Sequence, residues 1–389
     1  MLFYFLKKIA TKIANFFIFF LPKYTDPNKI IFFSYPDLSD NSLYLFNYIN
    51  KNKKNLTLVW LVNNYIDPQE FNYKSKNKII IEKRLSIKGL YHFLTSRYAF
   101  YTHTIYFFLE KNIGPVCINL WHGMPIKNIG FLENKKNRNK IFADFHISTS
   151  ELYSSILSKA FDVDKSKILE FGLPRNDIIS SHYDSKEIIF KKILNVNKKN
   201  YKLIIWLPTF RTSNLGDKRK ESKKNNFLDE WDEGFFNKLN IVAKKHNIFI
   251  FIKLHPYDDL NKRFFKNSYS NIKIYNFLSW KKTKLDIYEL LSISDGLISD
   301  ISSVIIDYIT INKPCALTKL SFDYFKRGLI KELDIEKNLN FINIINIQNF
   351  ENFFKIVQKG EFFEMDPNNL FYLKSLEQSC KKITDHFKI

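Results

Sequence analysis

Asp295-Gly296-Leu297-Ile298-Ser299-Asp300-Ile301-Ser302-Ser303-Val304-Ile305-Ile306-Asp307-Tyr308, followed a few residues later by Pro314-Cys315-Ala316-Leu317, decides the architecture. A short apolar run at Gly296–Ser299 ends in a corner of acids and hydroxyls. An apolar stretch of helical length follows, and then a second short run. Strand, helix and strand in that order join parallel strands by a crossover. Working outward, the same alternation recurs. Leu203–Leu207, Ile248–Leu254 and Ile272–Tyr275 read as buried strands of one set. Ile30–Ser34, Leu56–Leu61, Lys78–Ile81, Tyr98–Thr102, Val116–Trp121 and Ala143–Ser148 read as another, with amphipathic segments such as Asn41–Asn52 and Ser86–Ser96 between them. The two sets part near Ser180–Asn200, which predicts an α/β chain of two doubly wound, Rossmann-like domains facing one another. Ligands of such sheets bind beyond the carboxyl ends of the strands, so the residues just after each strand matter most.

Composition narrows the class. The chain has 389 residues, 45% hydrophobic and 25% charged, enough to bury two cores and unlike a disordered segment. Sixty Lys+Arg against 39 Asp+Glu leave a formal charge of +21, which suits an anionic partner or a Lys-rich solvated surface. Zinc-finger spacing, an RNP-like aromatic motif and a recognition-helix signature are lacking, so nucleic acid is not the expected partner. Cys117, Cys315 and Cys380 are widely spread without a CxxC, which excludes a disulfide scaffold and a thiolate zinc site.

Residues 1–22 read MLFYFLKKIATKIANFFIFFLP. Lys7, Lys8 and Lys12 break the apolar run below the length that spans a bilayer, and a small-residue cleavage site is missing. On a helix Phe5, Ile9, Ile13, Phe16, Phe17 and Phe20 share one side, with Lys8, Lys12 and Asn15 away from it. This predicts a basic amphipathic helix lying in the headgroup region of a membrane, with docking onto the protein's own core as the alternative.

Five stretches carry chemistry. In Leu120-Trp121-His122-Gly123-Met124-Pro125-Ile126-Lys127 a strand ends in His-Gly. A neutral imidazole at a strand end suits removal of a hydroxyl proton near pH 7, while Gly123 permits close backbone approach. Phe171-Gly172-Leu173-Pro174-Arg175-Asn176 turns at another strand end, where Arg175 and Asn176 could meet an acceptor or phosphate. Trp206-Leu207-Pro208-Thr209-Phe210-Arg211 ends a strand in a hydroxyl and a guanidinium suited to phosphate oxygens. In Lys253-Leu254-His255-Pro256 strand alternation points Lys253 and His255 the same way, as a cationic pair for phosphate. Finally, Ser302 and Ser303 stand where a helix begins, as an N-cap, a phosphate-binding set of amides, or both. Asp162-Val163-Asp164 matches a DxD pattern but reads as a turn and helix cap in a Lys-rich loop.

Together LWHGMPIKNIG, TSELYSSILSKAFDVDKSKILEFGLPRND, WLPTFR, IKLHP and LDIYELLSISDGLISDISSVIIDYITINKP resemble the CDP-glycerol glycerophosphotransferase family, the teichoic-acid polymerase group also found among capsule-synthesis enzymes. Ile31-Phe32-Phe33-Ser34 followed by Asp40-Asn41 is similar to the family's opening segment. The resemblance runs over roughly residues 28 to 330. It implies a GT-B fold of two Rossmann-like domains: an acceptor side at residues 24–195 and a CDP-alditol donor side at 196–389, preceded by the amphipathic helix at 1–23. The last helix is a candidate to pack back on the first domain. The resemblance makes His122 and His255 the essential histidines and assigns Arg211, Ser299, Asp300, Ser302, Ser303 and Asp307 to donor-site motifs. Thr209 and Lys253 join them on the phosphate side, and Gly123, Lys127, Arg175 and Asn176 fall on the acceptor side.

The implied reaction moves an alditol phosphate, glycerol phosphate first among them, from a CDP-alditol to a hydroxyl of a membrane- or polymer-linked acceptor, with release of CMP. His122 would act as general base, with His255, Lys253 and Arg211 neutralising the diphosphate. The sequence requires no metal and leaves a Mg²⁺ requirement open. The implied partners are the donor, an anionic polyol-phosphate or glycan acceptor, and the cytoplasmic face of the cell membrane, where the enzyme would be peripheral. The competing reading is a GT-B glycosyltransferase using a CMP- or UDP-sugar in surface polysaccharide synthesis.

Overall fold

The computed structural model describes residues 24–64, 75–106, 114–133, 142–180, 201–208, 231–254, 269–300, 302–318, 328–334, 341–360 and 378–389. The amphipathic helix expected at 1–23 lies outside the described residues.

The first sheet holds β1 (Asp26–Phe33), β2 (Thr57–Val62), β3 (Lys78–Lys83), β4 (Ser96–Tyr101), β5 (Val116–Asn119), β6 (Phe145–Ser148) and β7 (Ile168–Glu170). Its order is β3-β2-β1-β4-β5-β6-β7, and every pairing is parallel. The chain therefore winds from β1 to one edge and returns at β4 to wind toward the other. The second sheet repeats this with β8 (Lys202–Leu207), β9 (Ile248–Lys253), β10 (Ile272–Tyr275), β11 (Gly296–Ser299), β12 (Cys315–Thr318) and β13 (Ile342–Ile344), in the order β10-β9-β8-β11-β12-β13. Both are doubly wound parallel sheets, as the strand–helix alternation predicts. The switch points fall between β1 and β4 and between β8 and β11, which fixes where a ligand site belongs in each sheet. The sequence reading placed the end of a strand at Phe171 without giving β7 its bounds, and it missed β13. Each is a three-residue strand at the end of its sheet, with one strand neighbour and too few apolar side chains to stand out.

Helices α1 (Asp40–Asn52), α2 (Ile87–Leu94), α3 (Glu151–Phe161) and α4 (Asn176–Ser180) connect strands of the first sheet or follow them. Ser86 and Ser150 cap α2 and α3 by accepting the N–H of Gly89 and Tyr153. In α1 the residues Tyr44, Leu45, Phe46 and Ile49 are buried, and Phe46 and Phe32 both pack on the fully buried Trp60. The second sheet carries α5 (Glu233–Lys245), α6 (Phe277–Thr283), α7 (Ile287–Ile293), α8 (Val304–Tyr308) and α9 (Ile347–Lys359), with Trp206 of β8 buried against Trp231 and Phe350.

The described residues divide into two compact units. One takes those up to His122, Arg138–Asp177 and Ser375–Ile389; the other takes Gly123–Asn137 and Ile178–Lys374. Contacts change over at Asp177/Ile178, and the stretch after His122 groups with the second unit; the 195/196 boundary read from sequence lies outside the described residues.

The last helix, α10 (Ser379–His386), belongs to the first unit. The Asp177 carboxylate accepts the N–H groups of Ser379 and Cys380 at 2.7 and 2.8 Å, satisfying two donors that a helix start leaves open. Phe387 packs its ring against Tyr98, Phe100 and Phe145. Gly172 lies under this helix at φ +80°, and a Cβ there would sit 2.5 Å from Ser379 Oγ. Gly172→Ala should therefore lose about 1–3 kcal/mol of unfolding free energy, measured by denaturant titration. An unchanged midpoint would show that the helix yields freely.

Candidate functional site

At the first switch point Phe33 pairs with Tyr101, and Tyr101 pairs with Asn119 of β5, so three strands end side by side. The chain then reverses sharply. Trp121 takes φ 57° and Gly123 φ 125°, placing His122 at the apex between two left-handed residues. A left-handed tryptophan is costly unless its surroundings hold it, and here they do. Asn119 Oδ1 accepts the Trp121 N–H at 3.0 Å, and Asn41 Nδ2 donates to the Trp121 carbonyl at 2.9 Å. Arg175 Nη1 donates to the His122 carbonyl at 3.1 Å and to Asp40 Oδ1 at 3.1 Å, while its N–H reaches Asn41 Oδ1 at 3.2 Å. The end of β5, the first turn of α1 and the residue before α4 thus clamp the Trp121 amide and the Trp121 and His122 carbonyls around the histidine.

The His122 side chain itself is exposed. Its Nδ1 lies 3.4 Å from the Thr102 carbonyl oxygen, which can only accept. A proton on Nδ1 suits that partner, and in that tautomer Nε2 carries the lone pair a general base needs. The His103 ring stacks on His122 at 4.6 Å with 16° between planes, and the Trp121 ring lies at 4.2 Å. His103 Nδ1 is 2.9 Å from Thr102 Oγ1, and the edge of Tyr35 approaches at 5.9 Å. Burial above all, and then the neighbouring His122, pull the His103 pKa down to about 4, so His103 is neutral near pH 7.

The sequence reading missed Thr102, His103 and Asn119. The signal was available, because Thr102-His103 follows β4 directly at the switch point, as His122 follows β5. Arg175 and Asn176, expected as acceptor contacts, are 4% and 1% exposed; Arg175 is a brace for the turn, and Asn176 begins α4. Gly123 and Lys127 group with the second unit, where Lys127 pairs with Leu329 in an isolated antiparallel bridge.

At the second switch point Ser299 pairs with Leu207, and Ser299 Oγ donates to the Leu207 carbonyl at 2.6 Å. Asp300 and Asp307 are each 1% exposed, and Asp307 Oδ2 accepts the Tyr288 hydroxyl at 3.2 Å. These three donor-motif residues thus shape the corner from within. Ser302 Oγ accepts the Val304 N–H at 3.5 Å, and Ser303 is the N-cap of α8 without a side-chain cap bond. With five residues in α8, local amides count there more than a summed dipole.

Lys253 ends β9, the strand beside β8, with its ammonium 5.8 Å from the centre of the Trp280 ring. Burial lowers its pKa to about 8. A cation serving a diphosphate from this position is present below pH 8 and lost above it. The kcat/KM for an anionic donor should therefore fall as pH rises through about 8, and Lys253→Met should flatten that limb. An alkaline limb unchanged in the variant would exclude Lys253 from donor binding. Thr209, Arg211 and His255 lie outside the described residues.

Asp162 ends α3 in a left-handed cap, and Asp164 Oδ1 accepts the Ser166 N–H at 2.8 Å, the turn chemistry read from sequence. Among the described residues no three His, Cys, Asp or Glu side chains gather as a metal site, and no helix is long and apolar enough to cross a membrane.

The model of the family described as CDP-Glycerol:Poly(glycerophosphate) glycerophosphotransferase matches residues 13–338. A teichoic acid poly(glycerol phosphate) polymerase of Bacillus spizizenii is 25% identical over 328 residues, covering 77% of this chain and 76% of that protein. One of Staphylococcus epidermidis is 24% identical over 326 residues, covering 78% of this chain and 42% of that longer protein. Among solved structures, the wall teichoic acid polymerase TagF superposes with a TM-score of 0.67 at 21% identity, over 98% of this chain and 92% of that one. At that identity the likeness speaks to the fold, which is GT-B as the sequence motifs imply.

Proposed function

The chain belongs to the CDP-glycerol:poly(glycerophosphate) glycerophosphotransferase family, and from that premise we propose that it transfers glycerol phosphate from CDP-glycerol to a hydroxyl of a poly(glycerol phosphate)-type acceptor in teichoic-acid-like or capsular polymer synthesis. The carrying observation is His122, held by its backbone at the carboxyl edge of the first sheet with Nδ1 directed to a carbonyl. In this reading Nε2 takes the proton of the acceptor hydroxyl as its oxygen attacks the β-phosphorus in line. The phosphoanhydride bond breaks, and CMP leaves with the bridging oxygen. Phosphoryl transfer needs chiefly positioning and neutralisation of the phosphate oxygens. Lys253 supports that on the donor side, and Arg211 and His255 join it by their motifs.

The relatives' names and the charge of +21 also support a polyanionic acceptor, and the basic, amphipathic pattern of residues 1–22 supports peripheral work at the inner membrane face. The test is CMP release by purified protein offered CDP-glycerol, CDP-ribitol or a UDP-sugar together with a short poly(glycerol phosphate) primer, with product mass recorded. Primer lengthened by one glycerol phosphate per CMP carries the proposal; turnover with the UDP-sugar alone would replace it with glycosyl transfer. Repeating the assay in EDTA reads the Mg²⁺ requirement.

A further inference from the structure

We propose that His103 is a positioning residue for the reaction: its neutral ring, stacked on His122, holds that imidazole at the angle from which Nε2 meets the acceptor hydroxyl. The inference rests on the reading of His122 as the base and extends it to a residue outside the motifs that carry the family resemblance.

The geometry makes the case. His122 is exposed, and its Nδ1 contact to the Thr102 carbonyl is long, at 3.4 Å, so this contact holds the ring about its Cβ–Cγ bond only loosely. The backbone clamp of Asn41, Asn119 and Arg175 fixes the main chain but not the ring. The His103 face, its centre 4.6 Å away and within 16° of parallel, joins the Trp121 ring at 4.2 Å in restricting the imidazole, and of the two it is the one lying parallel to it. His103 is itself fixed, by Thr102 Oγ1 at 2.9 Å and the Tyr35 ring edge. Thr102 thus contacts one imidazole through its carbonyl and the other through its hydroxyl, so both rings refer to one residue at the end of β4.

Charge fits the same role. When Nε2 takes a proton, His122 becomes a cation; a cationic neighbour would oppose this, whereas a neutral aromatic face favours it. Among the described residues, the charged and titratable groups around His103 are His122 on the β5 turn and Asp40 at the start of α1, with the Tyr35 phenol after β1. Burial keeps the His103 ring uncharged among them at pH 7.

Two variants separate the ring from its hydrogen bond. His103→Phe keeps a flat face and loses the bond to Thr102; His103→Gln keeps a polar contact and loses the face. With CDP-glycerol and a poly(glycerol phosphate) primer, kcat should fall about tenfold or more in H103Q and stay within about threefold in H103F. The KM for CDP-glycerol should stay within about twofold in both, because the donor is held elsewhere. Thermal unfolding confirms that each variant is folded. Equal activity in the two, in either direction, overturns the proposal, as does H103F being the poorer. Should a variant not fold, the unmodified protein still decides. The stack should displace one imidazole Hε1 resonance upfield, and His122→Gln should abolish that resonance; a spectrum without it overturns the proposal. Full activity in His122→Gln would instead sink the functional reading, whereas an inactive His122→Gln beside an undisturbed H103Q would remove the present inference alone.

Discussion

Replacing His122 with glutamine should lower turnover by about 10²-fold or more while leaving the protein folded. Glutamine can still donate to the Thr102 carbonyl but has no basic nitrogen to accept a proton. Stability should hardly change, because the ring is exposed and the turn is fixed through main-chain atoms by Asn41, Asn119 and Arg175. The deficit should appear in kcat and not in the KM for CDP-glycerol, since a base acts in the transition state and binds no part of the donor. CMP release at saturating donor, with unfolding midpoints measured alongside, checks both halves. A loss below tenfold in a folded variant would remove His122 from the chemistry.

The winding of both sheets was legible in the sequence because buried parallel strands appear as short, continuous apolar runs such as Ile30–Phe33 and Ile248–Ile252. Ile272–Tyr275 and Gly296–Ser299 occur with the bounds the sequence suggested. The residues that build the site were harder to read. Motif spacing marks a histidine at a strand end, but it does not say which polar neighbours face the ligand and which hold the backbone. Arg175 reads as an acceptor or phosphate contact in Pro174-Arg175-Asn176 and is 4% exposed in the fold, where its partners Asp40 and the His122 carbonyl are remote in sequence. Ser299 reads as a phosphate ligand, yet its hydroxyl donates to the carbonyl of the neighbouring strand. His103 escaped for the converse reason: its role depends on a ring 19 positions away lying parallel to it, a relation that periodicity along the chain does not encode.

Arg175→Met should be the most destabilising of the substitutions considered, costing about 3–5 kcal/mol, because it removes one partner from a buried ion pair and leaves the other uncompensated. The Arg175 side chain is 4% exposed and that of Asp40 18%, with Nη1–Oδ1 at 3.1 Å. By contrast Lys165–Glu151, at 3.2 Å with side chains 49% and 82% exposed, should be expendable. Arg175 also holds the His122 carbonyl, so the variant should lose turnover out of proportion to its folded fraction, and the loss should persist at temperatures where it is fully folded. Pairing it with Asp40→Asn separates the two effects. The double variant should be markedly more stable than the sum of the single losses implies, since the stranded carboxylate is gone. Its turnover should stay low, since nothing restores the donor to the His122 carbonyl. If the double variant recovers activity together with stability, Arg175 serves only to neutralise Asp40. If Arg175→Met unfolds no more easily than the parent, the guanidinium is not part of the clamp on the His122 turn.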